Sequence, residues 1–109
     1  MQSLQPQELS AFIQAEPQAQ LLDVREGWEL QLCRITLPGA KALDIPMHLV
    51  PARLPDISRE QPVVCICHHG VRSAQVVAFL QRQGYARAYN LSGGIDAWST
   101  LVDPAVARY

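Results

Sequence analysis

The sequence lacks an apolar run long enough to cross a membrane, and it lacks an excess of charge of either sign. No apolar stretch approaches the roughly 20 residues of a membrane-spanning helix, and the formal charge of the 109 residues is -1. A surface that binds nucleic acid or an anionic membrane needs a strong local excess of Lys and Arg. We therefore expect neither a nucleic-acid partner nor a membrane partner.

Cysteine is also scarce, with only Cys33, Cys65 and Cys67 in the chain. An odd number of cysteines inside apolar segments differs from the paired framework of a disulfide-stapled secreted domain, so we expect reduced thiols. The first residues lack the basic-then-apolar layout of a signal peptide. Together these features predict a cytoplasmic protein.

The rest of the composition is that of one small folded domain. Apolar residues make up 49% of the chain and charged residues 17%, which excludes disorder and is sufficient for a modest core. No repeat or linker divides the sequence. We therefore predict a single domain over residues 1–109 and, with it, a single site.

Apolar periodicity predicts an α/β fold in which strands and helices alternate along the chain. Helices are expected over 6–15, 25–33 and 73–83 and around Ile95 and Trp98, and strands over 20–24, 40–45, 63–67 and 85–91. The Pro-rich segment 46–55 is expected to be an irregular connection. This order favours a mostly parallel sheet with helices on both faces and a site beyond the carboxyl ends of its strands. Trp28, Tyr89 and Trp98 are expected to pack in the core.

Cys67 stands where the clearest strand of the sequence ends. The continuous apolar run 63–67 is typical of a central parallel strand, and it is followed by a short loop, His68 to Arg72, and then by a helix. Backbone N–H groups of such a loop and the start of a helix stabilise an anion. Gly70 permits a left-handed backbone conformation in the loop, and Arg72 adds a positive charge. A thiolate held in this way can attack a sulfane sulfur and keep it as a persulfide.

In these residues the sequence resembles the rhodanese family. The loop matches the Cys-x-x-Gly-x-Arg pattern of that family at Cys67, Gly70 and Arg72. Further matches are Leu22–Glu26, Pro38–Ala40 followed by Ile45-Pro46, and Asn90–Trp98. One departure is the segment 33–38, which replaces the family's usual Gly-His-Ile stretch.

The resemblance implies a rhodanese fold and a sulfurtransferase with Cys67 as its catalytic residue and no cofactor or metal. It implies that the loop binds the substrate through His68, His69, Gly70, Val71 and Arg72. The expected donor is thiosulfate or a persulfide, and the expected acceptor is cyanide or a thiol, including a thiol of a partner protein. The sequence leaves the physiological donor and acceptor open.

Two other functions compete with sulfur transfer. A phosphatase or arsenate reductase also uses a cysteine thiolate and a loop arginine, but such loops have five residues between the two, whereas four intervene between Cys67 and Arg72. A regulatory rhodanese-like module is the second alternative, although many such modules lack the cysteine.

Several residues near the loop have alternative interpretations. Cys33 and Cys65 are expected to be core residues, although Cys65, Cys67 and the two histidines also resemble a set of zinc ligands. His68 and His69 either bind an anionic donor or are solvated. Arg72 either contacts the substrate or pins the loop to a carboxylate such as Asp23 or Glu26. The closing stretch 102–109 is expected to be a tail without chemistry.

Overall fold

The computed structural model describes residues 2–109 and is built around a sheet of five parallel strands. The strands, in chain order, are β1 (Ser3–Leu4), β2 (Gln20–Asp23), β3 (Lys41–Asp44), β4 (Val63–Ile66) and β5 (Ala88–Leu91). Their order across the sheet is β1-β5-β4-β2-β3, and every neighbouring pair is parallel. The predicted α/β sheet is confirmed, with β4 at its centre. The two-residue β1, too short to show a pattern, was not predicted.

Four α-helices connect or follow the strands: α1 (Pro6–Ala15), α2 (Gly27–Leu32), α3 (Val71–Arg82) and α4 (Gly94–Leu101). The Pro-rich connection contains two short 3₁₀ segments, Met47–Leu49 and Pro51–Asp56. The predicted bounds of α1 agree with the structure, and α3 begins two residues earlier than predicted. It begins at Val71 because Gly70, with φ of +95°, turns the loop directly into the helix.

The helices cover both faces of the sheet because β4 is apolar on both faces. Val63 and Cys65 belong to one buried cluster with Val76, Val77 and Leu80 of α3. The alternate residues Val64 and Ile66 belong to a second cluster with residues of the other face, namely Leu9 and Ile13 of α1 and Ile95 and Trp98 of α4. This two-sided burial holds the end of β4, and therefore Cys67, in a fixed position.

Two expectations about packing differ from the structure. Trp28 is 63% exposed, because the short α2 turns its carboxylate Glu29 inward instead. The stretch 102–109 is not a loose tail, since Val106 and Tyr109 pack against the second cluster. Trp98 is buried as predicted, and Tyr89 packs edge-on against Phe12 with ring centroids 5.1 Å apart. Within residues 2–109 no helix has the length and hydropathy that a membrane crossing requires.

Candidate active site

Cys67 is the first residue after β4, and its sulfur is enclosed by the loop that follows. The residue is 1% exposed. The backbone N–H of Gly70 donates to Sγ at 3.0 Å, and the hydroxyl of Ser73 lies 3.2 Å from Sγ. Ser73 is in the first turn of α3, where backbone N–H groups have no partner within the helix. The sulfur therefore faces hydrogen-bond donors, a setting that stabilises negative charge on it.

The start of α4 fixes the first peptide units of the loop. The N–H groups of Ile95 and Asp96 donate to the carbonyl oxygens of Cys67 and His68, at 2.9 and 3.1 Å. This approach requires Gly94, whose φ is +63° and where a Cβ atom would lie 2.5 Å from both carbonyl oxygens. The Gly93-Gly94 pair is thus needed for the contact between α4 and the loop.

Gly70 occupies the tightest point of the loop. Its φ is +95°, and a Cβ atom there would lie 3.1 Å from the backbone nitrogen of Gly93. The side chain of Asn90, at the end of β5, donates through Nδ2 to the Gly70 carbonyl oxygen at 3.1 Å. The conformation of Gly70 places its own N–H against the sulfur.

Ser73 links the sulfur to Asn90. Its hydroxyl oxygen lies 2.5 Å from Oδ1 of Asn90 and 3.2 Å from Sγ of Cys67. Because a hydroxyl has one proton, Ser73 donates to one of these acceptors at a time. When the sulfur is an anion the proton can turn to Sγ, and when it is a thiol the S–H can donate to Ser73 instead. The Ser73 hydroxyl can therefore hydrogen-bond to the sulfur of either a thiolate or a thiol.

Arg72 pins the end of the loop to Glu29 of α2. The guanidinium donates two hydrogen bonds to the carboxylate, from Nη1 to Oε1 at 2.7 Å and from Nη2 to Oε2 at 2.8 Å. The Glu29 side chain is 3% exposed and that of Arg72 is 34% exposed. The hydrogen bond from Arg72 lowers the pKa of Glu29 to about 2, although burial acts in the opposite direction. The partner is neither Asp23 nor Glu26, the carboxylates named from the sequence.

Asp23 and Arg25 form a buried pair beneath this contact. The Arg25 side chain is fully buried and donates to both oxygens of Asp23, at distances between 2.8 and 3.2 Å. It also donates to the carbonyl oxygens of Glu29 and Cys33. Burial alone would lower the pKa of Arg25, but its hydrogen bonds to Asp23 and Tyr109 raise it. These contacts hold the end of β2 against both ends of α2.

The other loop residues differ in their surroundings. His68 is partly buried, and burial, followed by the nearby His69, lowers its pKa below the ordinary value. His69 is exposed and stacks on His68 with ring centroids 3.8 Å apart. Val71 is exposed on the first turn of α3. The loop thus presents His69 and Val71 outward while Cys67 and Gly70 are enclosed.

Tyr109 also reaches the site. Its ring stacks on His68, with centroids 3.8 Å apart and planes 7° from parallel, and its hydroxyl donates to Oε2 of Glu29 at 2.7 Å. The hydroxyl accepts from Nη1 of Arg25 at 3.2 Å. Burial raises the pKa of Tyr109 to about 12, so the phenol keeps its proton for Glu29.

The zinc set considered from the sequence is not brought together. Within residues 2–109, the ligand atoms that cluster are those of His68, His69 and Asp96, all within 4.8 Å of one another. The two imidazoles are stacked with their planes 27° apart, and Asp96, the third member, already accepts from Nε of Arg108 at 2.8 Å. Cys65 is fully buried in the core, and burial raises the pKa of its thiol well above the usual range.

Four residues of the site were missed from the sequence as contributors: Glu29, Ser73, Asn90 and Tyr109. A signal existed for two of them. Ser73 directly follows the loop motif at the helix start, and Asn90 opens the matched segment Asn90–Trp98. Glu29 and Tyr109 had no local signal, because Glu29 lies 43 positions from its partner Arg72 and Tyr109 lies 80 positions from its partner Glu29.

Comparison with known proteins agrees with this fold. The profile of the Rhodanese-like domain family matches residues 5–101. A protein named Sulfurtransferase from Allochromatium vinosum is 42% identical over 87 residues, covering 80% of this chain and 78% of that protein. The Thiosulfate sulfurtransferase GlpE of Actinobacillus pleuropneumoniae is 44% identical over 56 residues, which is 51% of this chain and 52% of GlpE.

A solved structure is similar over the full length of the chain. The crystal structure of a rhodanese-like domain protein from Staphylococcus aureus superposes with a TM-score of 0.78 at 32% identity. The superposition covers 100% of this chain and 99% of that one. The arrangement of strands and helices described above is therefore the arrangement found in that protein.

Proposed function

The chain belongs to the rhodanese-like domain family, and from this premise we propose that it is a sulfurtransferase that carries sulfane sulfur as a persulfide on Cys67. The observation that carries the proposal is the enclosure of Sγ by the Gly70 N–H at 3.0 Å and the Ser73 hydroxyl at 3.2 Å. Both donors lie where an anionic sulfur, or the outer sulfur bound to it, needs stabilisation. Relatives named as sulfurtransferases support sulfur transfer in general.

The reaction has two steps at one sulfur atom. In the first, the Cys67 thiolate attacks the outer sulfur of thiosulfate, an S–S bond forms, and sulfite leaves with the electron pair of the bond that breaks. In the second, an acceptor such as cyanide attacks the outer sulfur of the persulfide and leaves as thiocyanate, which regenerates the thiolate. No external oxidant or reductant is consumed in either step.

The loop supplies binding groups for this chemistry. The N–H of Gly70 binds the reacting sulfur, and the partly exposed guanidinium of Arg72 contributes positive charge that favours an anionic donor. His69 and Val71 are exposed next to the enclosed Cys67, and His68 lies beside the sulfur-bearing residue. We propose that these five loop residues bind the donor, with Arg72 acting at the same time as the anchor of the loop.

The donor is proposed to be thiosulfate or a persulfide, and the acceptor cyanide or a thiol. The name of the Actinobacillus pleuropneumoniae relative specifies thiosulfate for that protein, which makes thiosulfate the first donor to assay here. A persulfide or thiol of a partner protein meets the same chemical requirement, because the attacking or departing group is again a sulfur anion.

The decisive experiment follows sulfur on individual cysteines. Mass spectrometry of the wild type after thiosulfate treatment is expected to show one added sulfur on the peptide that contains Cys67, and addition of cyanide is expected to remove it. Cys67→Ser is expected to abolish both steps. The matched control, Cys65→Ser, changes a buried cysteine two residues away on the same strand face and is expected to retain both. Sulfur uptake and transfer by Cys67→Ser would contradict the proposal.

A further inference from the structure

The segment after α4 is held against the active-site loop by several contacts. The hydroxyl of Ser99 donates to the carbonyl oxygen of Val106 at 2.5 Å, and Val106 packs against the buried cluster beside α1 and α4. Arg108 donates from Nε to Asp96 at 2.8 Å. These contacts fix the path of the chain across the front of α4, and they bring Tyr109 to the loop.

The hydroxyl of Tyr109 links two ion pairs, Asp23–Arg25 and Glu29–Arg72. Without it, the pairs would be linked, among residues 2–109, only by the hydrogen bond from Arg25 to the backbone carbonyl oxygen of Glu29. The hydroxyl accepts a hydrogen bond from Arg25, whose guanidinium is bound to Asp23, and it donates to Glu29, which binds Arg72. A continuous series of hydrogen bonds therefore runs from the end of β2 to the end of the loop. Because the side chains of Arg25 and Glu29 are almost fully buried, these contacts are little screened by solvent.

The ring of Tyr109 acts at the other end of the loop. It lies flat on His68, which in turn lies on His69, so that three rings form one stack. Nε2 of His68 is buried without a hydrogen-bond partner among residues 2–109. Burial of an unpaired polar atom is unfavourable, so contacts such as this stack must offset that cost and hold His68 in place.

From these contacts we propose that Tyr109 is a positioning residue that holds both ends of the loop 68–72 with a single side chain. Its ring fixes His68 next to Cys67, and its hydroxyl fixes Arg72 through Glu29. The inference rests on the proposed sulfur transfer and deepens it, because a loop fixed at both ends keeps the Gly70 N–H directed at Sγ. Donors that are already in place need no reorganisation when charge develops on the sulfur.

Two substitutions separate the two contacts. Tyr109→Phe keeps the stack and removes the hydrogen bonds of the hydroxyl with Glu29 and Arg25, and we expect kcat/KM for sulfur loading from thiosulfate to fall about three- to tenfold. Tyr109→Ala removes both contacts, and we expect a fall of about 10- to 100-fold, as for other small displacements of reacting groups. Tyr89→Phe is the matched control, since Tyr89 packs on Phe12 away from the loop, and we expect it to load at the wild-type rate.

The titration of His68 gives a readout that a general loss of stability would not produce. His69, Asp96, Glu29 and Tyr109 face this imidazole, and burial is the largest cause of its lowered pKa. In NMR titrations of the folded proteins, the pKa of His68 is expected to rise toward its ordinary value in Tyr109→Ala and to stay low in Tyr109→Phe. A thermal melt of each variant confirms that the folded state is the one measured.

The outcomes distinguish this proposal from the sulfur transfer on which it rests. If the wild type loads sulfur and folded Tyr109→Ala loads at the same rate, the positioning role is wrong and the sulfurtransferase stands. If the wild type takes up no sulfur from thiosulfate or a persulfide, the sulfurtransferase is wrong. Positioning is then decided by the alkylation rate of Cys67 with iodoacetamide and by the His68 titration, and values equal in wild type and Tyr109→Ala would overturn it.

Discussion

Arg72 and Glu29 meet in a two-point contact, with N–O distances of 2.7 and 2.8 Å, that ties the end of the loop 68–72 to α2. The contact is directional, because the planar guanidinium matches the two oxygens of a carboxylate. The contact is buried at its Glu29 end and partly exposed at its Arg72 end. An arginine can donate both of these parallel hydrogen bonds, whereas the ammonium group of a lysine acts as a point charge. The first prediction follows from this difference.

Arg72→Lys is expected to lower kcat/KM for sulfur loading by about tenfold or more, because an ammonium group cannot form both parallel hydrogen bonds and the loop end loosens. Glu29→Gln is expected to have a similar effect and to reduce the free energy of unfolding by about 1–3 kcal/mol. Asp44→Asn is the matched control, since its ion pair with Arg34 has the same length of 2.7 Å but is solvent-exposed. Denaturant unfolding should show a change below about 1 kcal/mol for the control. Equal losses in Glu29→Gln and Asp44→Asn would contradict the prediction.

Ser73→Ala is expected to slow sulfur loading by about tenfold, because the hydroxyl that lies 3.2 Å from Sγ no longer donates to the anionic sulfur. It also leaves Oδ1 of the buried Asn90 without its donor. Single-turnover loading followed by intact-protein mass spectrometry measures this step directly. Ser10→Ala, on the exposed side of α1, is the control and should load like the wild type. A wild-type loading rate in Ser73→Ala would contradict this role of the hydroxyl and leave the Gly70 N–H as the donor to the sulfur.

Gly94→Ala is expected to abolish sulfur loading and to destabilise the fold by more than about 2 kcal/mol, since the new Cβ would lie 2.5 Å from the carbonyl oxygens of Cys67 and His68. Two controls separate the effect of the close contact from that of backbone strain. Gly39→Ala has a similar positive φ of +91° with no atom within 4 Å of the new Cβ, so only the backbone strain of about 1–2 kcal/mol is expected. Gly27→Ala meets no atom within 4 Å either and begins α2, so its melting temperature should not fall. Comparable destabilisation in Gly94→Ala and Gly39→Ala would contradict the close contact.

The stability of the protein is expected to fall in acid through Glu29. The carboxyl has a pKa of about 2 in the folded protein, against an ordinary value of 4.5. Between these values the unfolded chain binds the additional proton, so the stabilisation is complete above about pH 5 and is lost as the pH falls toward 2. Denaturant unfolding at several pH values should therefore show a smaller difference between wild type and Glu29→Gln in acid than at pH 7. Asp96, whose pKa is lowered by Arg108, makes the same contribution to the stability of wild type and of Glu29→Gln. Its contribution therefore cancels in the difference between the two proteins. A difference that stays constant with pH would contradict the assignment.

The protein is expected not to hydrolyse aryl phosphates at a useful rate. Only four residues separate Cys67 from Arg72, and the loop they form encloses a single sulfur atom through the Gly70 N–H. A phosphate group needs a wider ring of donors. Turnover of p-nitrophenyl phosphate by the wild type, abolished in Cys67→Ser, would instead favour the phosphatase alternative.

Most of the fold was predictable because its signals are local. The apolar run 63–67 marked the central strand, and the alternation of strands and helices implied the parallel sheet. The element bounds shifted where a single backbone conformation decided them, as at Gly70, which starts α3 before the predicted Ser73. Trp28 was misassigned to the core because a short helix carries too few residues for its apolar positions to define a buried face.

By itself, the sequence determined the position of Cys67 at a strand end, the length of its loop and the glycines that let the loop close, because these depend on neighbours a few residues away. The tertiary structure alone decided which carboxylate receives Arg72 and which side chain covers His68. Glu29 and Tyr109 are brought to the loop by the packing of α2 and of the segment after α4, and the hydrogen bonds Arg72–Glu29 and Tyr109–Glu29 join residues 43 and 80 positions apart. Contacts over such separations depend on how the elements pack in three dimensions, and no periodicity or motif in the sequence encodes them locally.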